Sequence, residues 1–281
     1  MLITLAIASK LLLYLGALAT IGILSHFCLS IQSRLKWIWL ASGLSMIGTV
    51  SKLFVANAQL AGSITEIFNQ NTFRWVWQSN GTQFIVFVSG TFLALLARLV
   101  PSLRLKKAAA FIAILTISAG FAASGHTQGA ENMPLLPLWV VPHILIAGFW
   151  IWAPVSLWPH KSLPDDVVIG KTERFSIFAV WAVPVLFLSG LYLLWRLNGN
   201  QWDAYFTLYG GMLLVKLAAA LFLLGVGTYN KYRLAHILKT SPETGRDMLR
   251  RTLSIELGFF AIVIACILLA TTLTGPGGHH H

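Results

Sequence analysis

The chain has 281 residues, 57% of them hydrophobic and only 10% charged, with a formal net charge of +11. A soluble domain carries about 25% charged residues, so this composition cannot coat a water-facing surface, and two cysteines, Cys28 and Cys266, are too few for a disulfide scaffold. What remains is an integral membrane protein, whose basic excess records either a nucleic-acid partner or membrane orientation.

Runs of about 20 apolar residues are needed to cross the hydrocarbon. Eight are present, at 2–31, 37–61, 82–99, 108–125, 138–158, 175–197, 206–229 and 253–274. Their unbroken apolar character predicts helices, since a barrel shows short alternating strands. The fold class is therefore all-α, a polytopic bundle of eight transmembrane helices. The first run lacks a basic n-region and is too long for a signal-peptide core. Residues 62–81 carry Phe68, Phe73, Trp75 and Trp77 and are expected to lie in the membrane interface. Residues 235–251 are polar enough for a surface helix. No repeat or linker divides the chain, so residues 1–276 read as a single domain. The closing Gly277-Gly278-His279-His280-His281 reads as a tag remnant and is set aside.

Lys and Arg fix the expected orientation. Arg34, Lys36, Arg98, Arg104, Lys106, Lys107, Lys161, Lys171, Arg174, Lys231, Arg233, Lys239, Arg246, Arg250 and Arg251 all fall on one side. Lys10, Arg74 and Arg196 fall on the other, and Lys52 and Lys216 lie inside spans. By the positive-inside rule both termini are outside, which is periplasmic for a protein of a bacterial inner membrane. The charge is thereby explained by topology, with the lipid bilayer as partner and no nucleic acid.

Ionisable groups inside spans are costly and usually face a protein interior or a wet cavity. They are Lys52, Lys216, Glu256, His143 and His26, with His126 at a span end. Lys52 can snorkel outward from span 2. Lys216 lies nearly mid-span, beyond snorkelling reach, so a structural partner and a transport role both stay open. Glu256 has a bridge to a nearby basic group as its bland alternative. His26 and Cys28, two apart, point to different helix faces and do not chelate together.

His126 closes span 4 after the small-residue run 119–125, which admits a close helix neighbour. His143 follows Pro142, which removes a backbone donor and can free a carbonyl. Spans 4 and 5 are antiparallel neighbours, so both rings can share the outer third of the bilayer. Imidazole suits copper, zinc and haem iron, and a thioether from Met133 or Met212 favours Cu(I). The alternative from another class is a b-type haem protein carrying electrons, with His126 and His143 as axial ligands. No G-x-x-x-x-G-K-[ST], G-x-S-x-G or H-E-x-x-H is present, so nothing in the sequence points to an enzyme.

Five pieces in order carry a resemblance. They are Ser124-Gly125-His126; Pro142-His143-Ile144-Leu145-Ile146-Ala147-Gly148-Phe149-Trp150; Arg174-Phe175-Ser176; Tyr209-Gly210-Gly211-Met212-Leu213-Leu214-Val215-Lys216 with Tyr229-Asn230-Lys231-Tyr232-Arg233; and Leu249-Arg250-Arg251-Thr252-Leu253-Ser254-Ile255-Glu256-Leu257. Over about residues 120–276 the chain resembles the CopD family of bacterial inner-membrane copper resistance and copper uptake proteins. It departs from the family at Lys231, where an arginine is common, and at Trp152-Ala153-Pro154, where a small Gly-Gly segment is common.

The resemblance implies a non-enzymatic, copper-handling protein of the inner membrane. It points to His126 and His143 as metal candidates, and to Arg174, Lys216 and Glu256 as polar residues within the fold. Copper is expected to arrive at the periplasmic mouth near Trp139 and bind His126 and His143, with Met133 or Met212 assisting. It would then pass inward by a path that Lys216 and Glu256 shape, with His26 at an inner stop. Lys216 disfavours a cation unless neutral or paired, which suits gating. Any soluble periplasmic copper carrier must be a separate chain.

Overall fold

The structure, a computed structural model, describes residues 1–31, 35–123, 136–197 and 202–273. The expected all-α bundle is what the chain forms. Its helices are α1 (Leu2–Cys28), α2 (Ile38–Ala61), α3 (Gln70–Leu99), α4 (Leu103–Ala122), α5 (Leu136–Ile151), α6 (Ala153–Ser156), α7 (Asp165–Leu197), α8 (Leu208–Tyr229), α9 (Ala235–Thr240) and α10 (Pro242–Leu273). Eight of the resulting segments are long and apolar enough to cross a membrane, with α6 continuing α5 and α9 continuing α8. The chain is a multi-pass membrane protein.

Several helices outrun the apolar spans. Within residues 62–81, residues 70–81 are the first turns of α3. The cause is local: the Asn69 side chain accepts hydrogen bonds from the Asn71 and Thr72 backbone N–H groups, satisfying donors that a helix start leaves orphaned. Phe73 and Trp77 then stack along α3, and Phe54 of α2 meets Phe68 and Phe73. The surface helix expected at 235–251 is divided at Ser241, where Pro242 opens α10. Between α8 and α9 the chain makes one π-turn, Asn230–Leu234.

Close approach holds the first four helices together. A Cβ on Gly16 would run into the backbone of Leu44 and Ser45, and one on Gly48 into that of Leu12 and Leu13. Only glycine lets α1 and α2 cross this near, which is how membrane helices gain packing without a hydrophobic drive between them. Leu13, Ile21, Leu24, Phe87, Ile114 and Ile117 fill the core of this half. A second core joins Phe149 and Trp150 to Leu223, Leu249, Leu253 and Phe260. Gly22 and Gly148 bring α1 against α5, whose side chains pack into both cores.

Polar ties follow the same plan. Lys10 Nζ donates to Thr271 O at 2.6 Å and Thr272 Oγ1 at 3.1 Å, fastening α1 to the end of α10. Lys52 does not depend on snorkelling: it donates to Gln83 Oε1, whose Nε2 donates to Gly120 O. At the opposite end, Arg246 donates to Asp165 Oδ1, His160 O and Leu163 O. Arg246 therefore latches the start of α10 onto the connection before α7.

Candidate functional site

Helix α7 leans on α5 and, towards the connections, on α9, without comparable contact along α8 or α10. The space left over is a cavity of about 190 Å³. Its walls come from α5 (His143, Trp150), α7 (Leu186, Phe187, Gly190), α8 (Lys216, Leu217) and α10 (Phe260, Val263). Apolar and aromatic side chains make nearly all of the surface. Among the described residues, His143 and Lys216 are its ionisable ones, and no carboxylate lines it.

The hydrogen bonds fix the state of His143. Its Nδ1 lies 3.2 Å from Leu186 O and 3.2 Å from Ser189 Oγ. A carbonyl oxygen can only accept. The Ser189 hydroxyl spends its proton within α7, on Val185 O at 2.7 Å or Leu186 O at 3.0 Å. Both contacts to the ring therefore require the proton on Nδ1, which leaves Nε2 of the neutral imidazole with its lone pair free. Metal-binding histidines are held in the same manner, one nitrogen anchored to a carbonyl and the other presented. Gly190 provides the room, since a Cβ there would sit 3.0 Å from His143 Cε1.

Lys216 projects into the same cavity from α8. Among the described residues it has no hydrogen-bond or ion-pair partner. Met212 lies four residues before it on α8, one turn away on the same side of the helix, but is not in the cavity wall. Trp139, expected at the outer mouth, packs against Tyr192 with ring centroids 5.1 Å apart. His126 and Met133 lie outside the described residues.

The other expected polar residues sit elsewhere. His26 is fully buried. Its Nε2 lies 2.9 Å from Phe149 O and its Nδ1 2.6 Å from Ser156 Oγ. The carbonyl takes the Nε2 proton and the serine donates to Nδ1, so both ring nitrogens are occupied and the ring ties α1 to α5 and α6. Glu256 is 4% exposed and accepts at Oε1 from Asn230 Nδ2 at 3.0 Å. Its partner is thus an amide on the π-turn and not one of the nearby arginines. Arg174 donates to Ser30 O at 2.6 Å. Ser30 has φ 57°, a left-handed conformation that a non-glycine residue adopts only when held.

Among the described residues no three His, Cys, Asp or Glu side chains gather as a metal-holding group. His143 is a single presented nitrogen beside an ammonium. Ser189, Gly190 and the Leu186 carbonyl were not singled out from the sequence; the adjacent Ser189-Gly190 in an otherwise bulky span was the available signal.

Residues 169–270 match the family model described as CopD, Copper resistance protein D. This chain carries a CopD-family domain. The CopD domain spans most of α7, then α8, α9 and most of α10, and it contains Arg174, Met212, Lys216 and Glu256. His143 lies on α5, before the match begins. The matched residues run across the last three of the eight segments long and apolar enough to span a membrane. No curated protein and no solved structure matches the chain.

Proposed function

We propose that this CopD-domain protein handles copper and passes it across the cytoplasmic membrane from a histidine site on the periplasmic side. The observation that carries the reading is His143, whose Nδ1 is anchored on α7, whose Nε2 has no partner among the described residues, and whose ring lines a cavity within the span region. A neutral imidazole held by a carbonyl is a good ligand for copper, and thioether sulfur favours the Cu(I) state. The positive-inside distribution supports both termini on the periplasmic side, with His143 in the outer part of its helix.

In this reading copper enters near Trp139 and is taken by His126 and His143, with Met133 or Met212 assisting. Lys216 gates the cavity, because a bare cation is repelled until that ammonium is compensated. Arg174, Glu256 and His26 border the inward route. A soluble periplasmic carrier delivers the metal.

The test is Cu(I) binding to purified protein lacking His279, His280 and His281, because those imidazoles bind copper themselves. The wild type binds copper and His143→Ala binds it at least tenfold more weakly, in line with the ~10–100-fold effects of disturbing metal-site residues. Equal binding by the two proteins contradicts the reading. A visible spectrum of the same samples separates it from the haem alternative, which requires a Soret band.

A further inference from the structure

The cavity between α5, α7, α8 and α10 holds a charge that its described wall does not answer. Lys216 and His143 line it, and the rest of the wall is apolar or aromatic. Among the described residues no carboxylate lines the cavity, and the Lys216 ammonium has no hydrogen-bond or ion-pair partner. An unpaired charge among apolar side chains is costly, and an ionisable residue within a span marks a functional site whose partner has to be named. Lys216 lies about 12 Å along α8 from Leu208, too deep for phospholipid headgroups at the membrane surface to reach it. The missing partner is therefore an anion small enough to enter and apolar enough to reach that depth.

The cavity has an edge on the bilayer. Helix α7 packs on α5 and, towards the connections, on α9, but scarcely touches α8. Leu191 of α7 lines the cavity and is still 47% exposed. Leu214 of α8, next to the cavity-lining Leu213, is exposed as well. Both helices belong to apolar spans at this level, so the opening between them faces lipid chains.

We propose that this cavity binds a lipophilic monocarboxylate, a free fatty acid, with its carboxylate on Lys216 and its chain leaving between α7 and α8. The ammonium donates charge-assisted hydrogen bonds to the carboxylate, and the pair carries no net charge within the span. Trp150, which packs against Phe187 and Phe260, gives the first carbons an aromatic wall. An apolar cavity of about 150 Å³ holds the carbons of benzene. The cavity here, about 190 Å³, admits the head and the first few carbons, and a longer chain passes Leu191 into the lipid. No metal takes part, and the proposal stands apart from the copper reading of His143.

The experiment is photolabelling of tag-free, copper-free protein in detergent with palmitic acid carrying a diazirine near its carboxyl end, mapped by mass spectrometry. The wild type is expected to be labelled within Leu186–Leu194 of α7 and Leu213–Ala220 of α8. Unlabelled palmitate is expected to compete, and the uncharged alcohol of the same chain length is not. Lys216→Met is expected to reduce this labelling about tenfold, the effect of losing a hydrogen bond to a charged group. Lys216→Arg is expected to retain it, which separates loss of the charge from loss of the fold. Ala220→Phe, which fills the cavity and leaves Lys216 in place, is expected to abolish it. Labelling undiminished in Lys216→Met overturns the proposal, as does equal competition by the alcohol. Labelling confined to residues outside the cavity, a lipid-like contact only, overturns it too. Cu(I) binding by His143 is measured separately, so none of these outcomes decides the copper reading.

Discussion

His143 on α5 and Ser189 on α7 meet at 3.2 Å, and the direction of that bond decides which imidazole nitrogen is presented to the cavity. Because the serine hydroxyl donates within its own helix, it accepts from His143 and holds the proton on Nδ1. Replacing Ser189 by alanine leaves the Leu186 carbonyl as sole anchor. Cu(I) affinity is expected to fall about tenfold, with a stability cost of about 1 kcal/mol. Chelator competition measures the first and thermal unfolding in detergent the second.

Gly190 gives a sharper separation of binding from folding. A Cβ there would press on the His143 ring at 3.0 Å, so Gly190→Ala shifts the imidazole by a few tenths of an ångström. Alanine is the better helix former by about 1 kcal/mol. The expected variant is therefore at least as heat-stable as the wild type but weaker in copper binding. A variant that binds copper normally would mean that ring placement does not govern the site.

His26 is expected to behave in the opposite way. Both of its nitrogens are engaged, on Phe149 O and Ser156 Oγ, so His26→Leu removes two buried hydrogen bonds, although Ser156 Oγ keeps Ala153 O as acceptor at 3.3 Å. The cost is about 1–3 kcal/mol, read as a lower unfolding temperature, while the folded fraction keeps its copper stoichiometry. Loss of copper from folded His26→Leu would instead make this ring a ligand.

Composition and the few residues that violate it made the bundle readable. Eight apolar runs and the Lys/Arg asymmetry needed no knowledge of packing, and each run corresponds to a helix. Helix ends were less readable. That residues 70–81 begin α3 depends on the Asn69 cap and on Phe54 of α2 receiving the Phe73 ring, which composition alone does not reveal. Individual site residues were readable as chemistry but not as partnerships. His143 could be singled out because imidazole is rare in a span, whereas its anchor is set by how α7 lies on α5. His26 looked equally suited to a polar path, but only its neighbours reveal that both nitrogens are used. The bond from Asn230 to Glu256 depends likewise on the π-turn that aims Asn230 at α10.

That last contact predicts a graded response. Glu256→Gln keeps an oxygen to accept from Asn230 Nδ2, so it folds with little loss. Glu256→Leu removes the acceptor and costs about 1–3 kcal/mol by leaving a buried amide unpaired. Unfolding midpoints of the two variants in one detergent compare them directly, and equal midpoints would show that the Asn230 contact carries no stability.

The central claim is that copper crosses this membrane protein by way of His143. Copper uptake into proteoliposomes made with protein lacking His279–His281 tests it most directly. Accumulation by the wild type well above protein-free vesicles is expected, with uptake by His143→Ala no greater than that background. Uptake by His143→Ala equal to the wild type, with both proteins folded and incorporated to the same level, would contradict it.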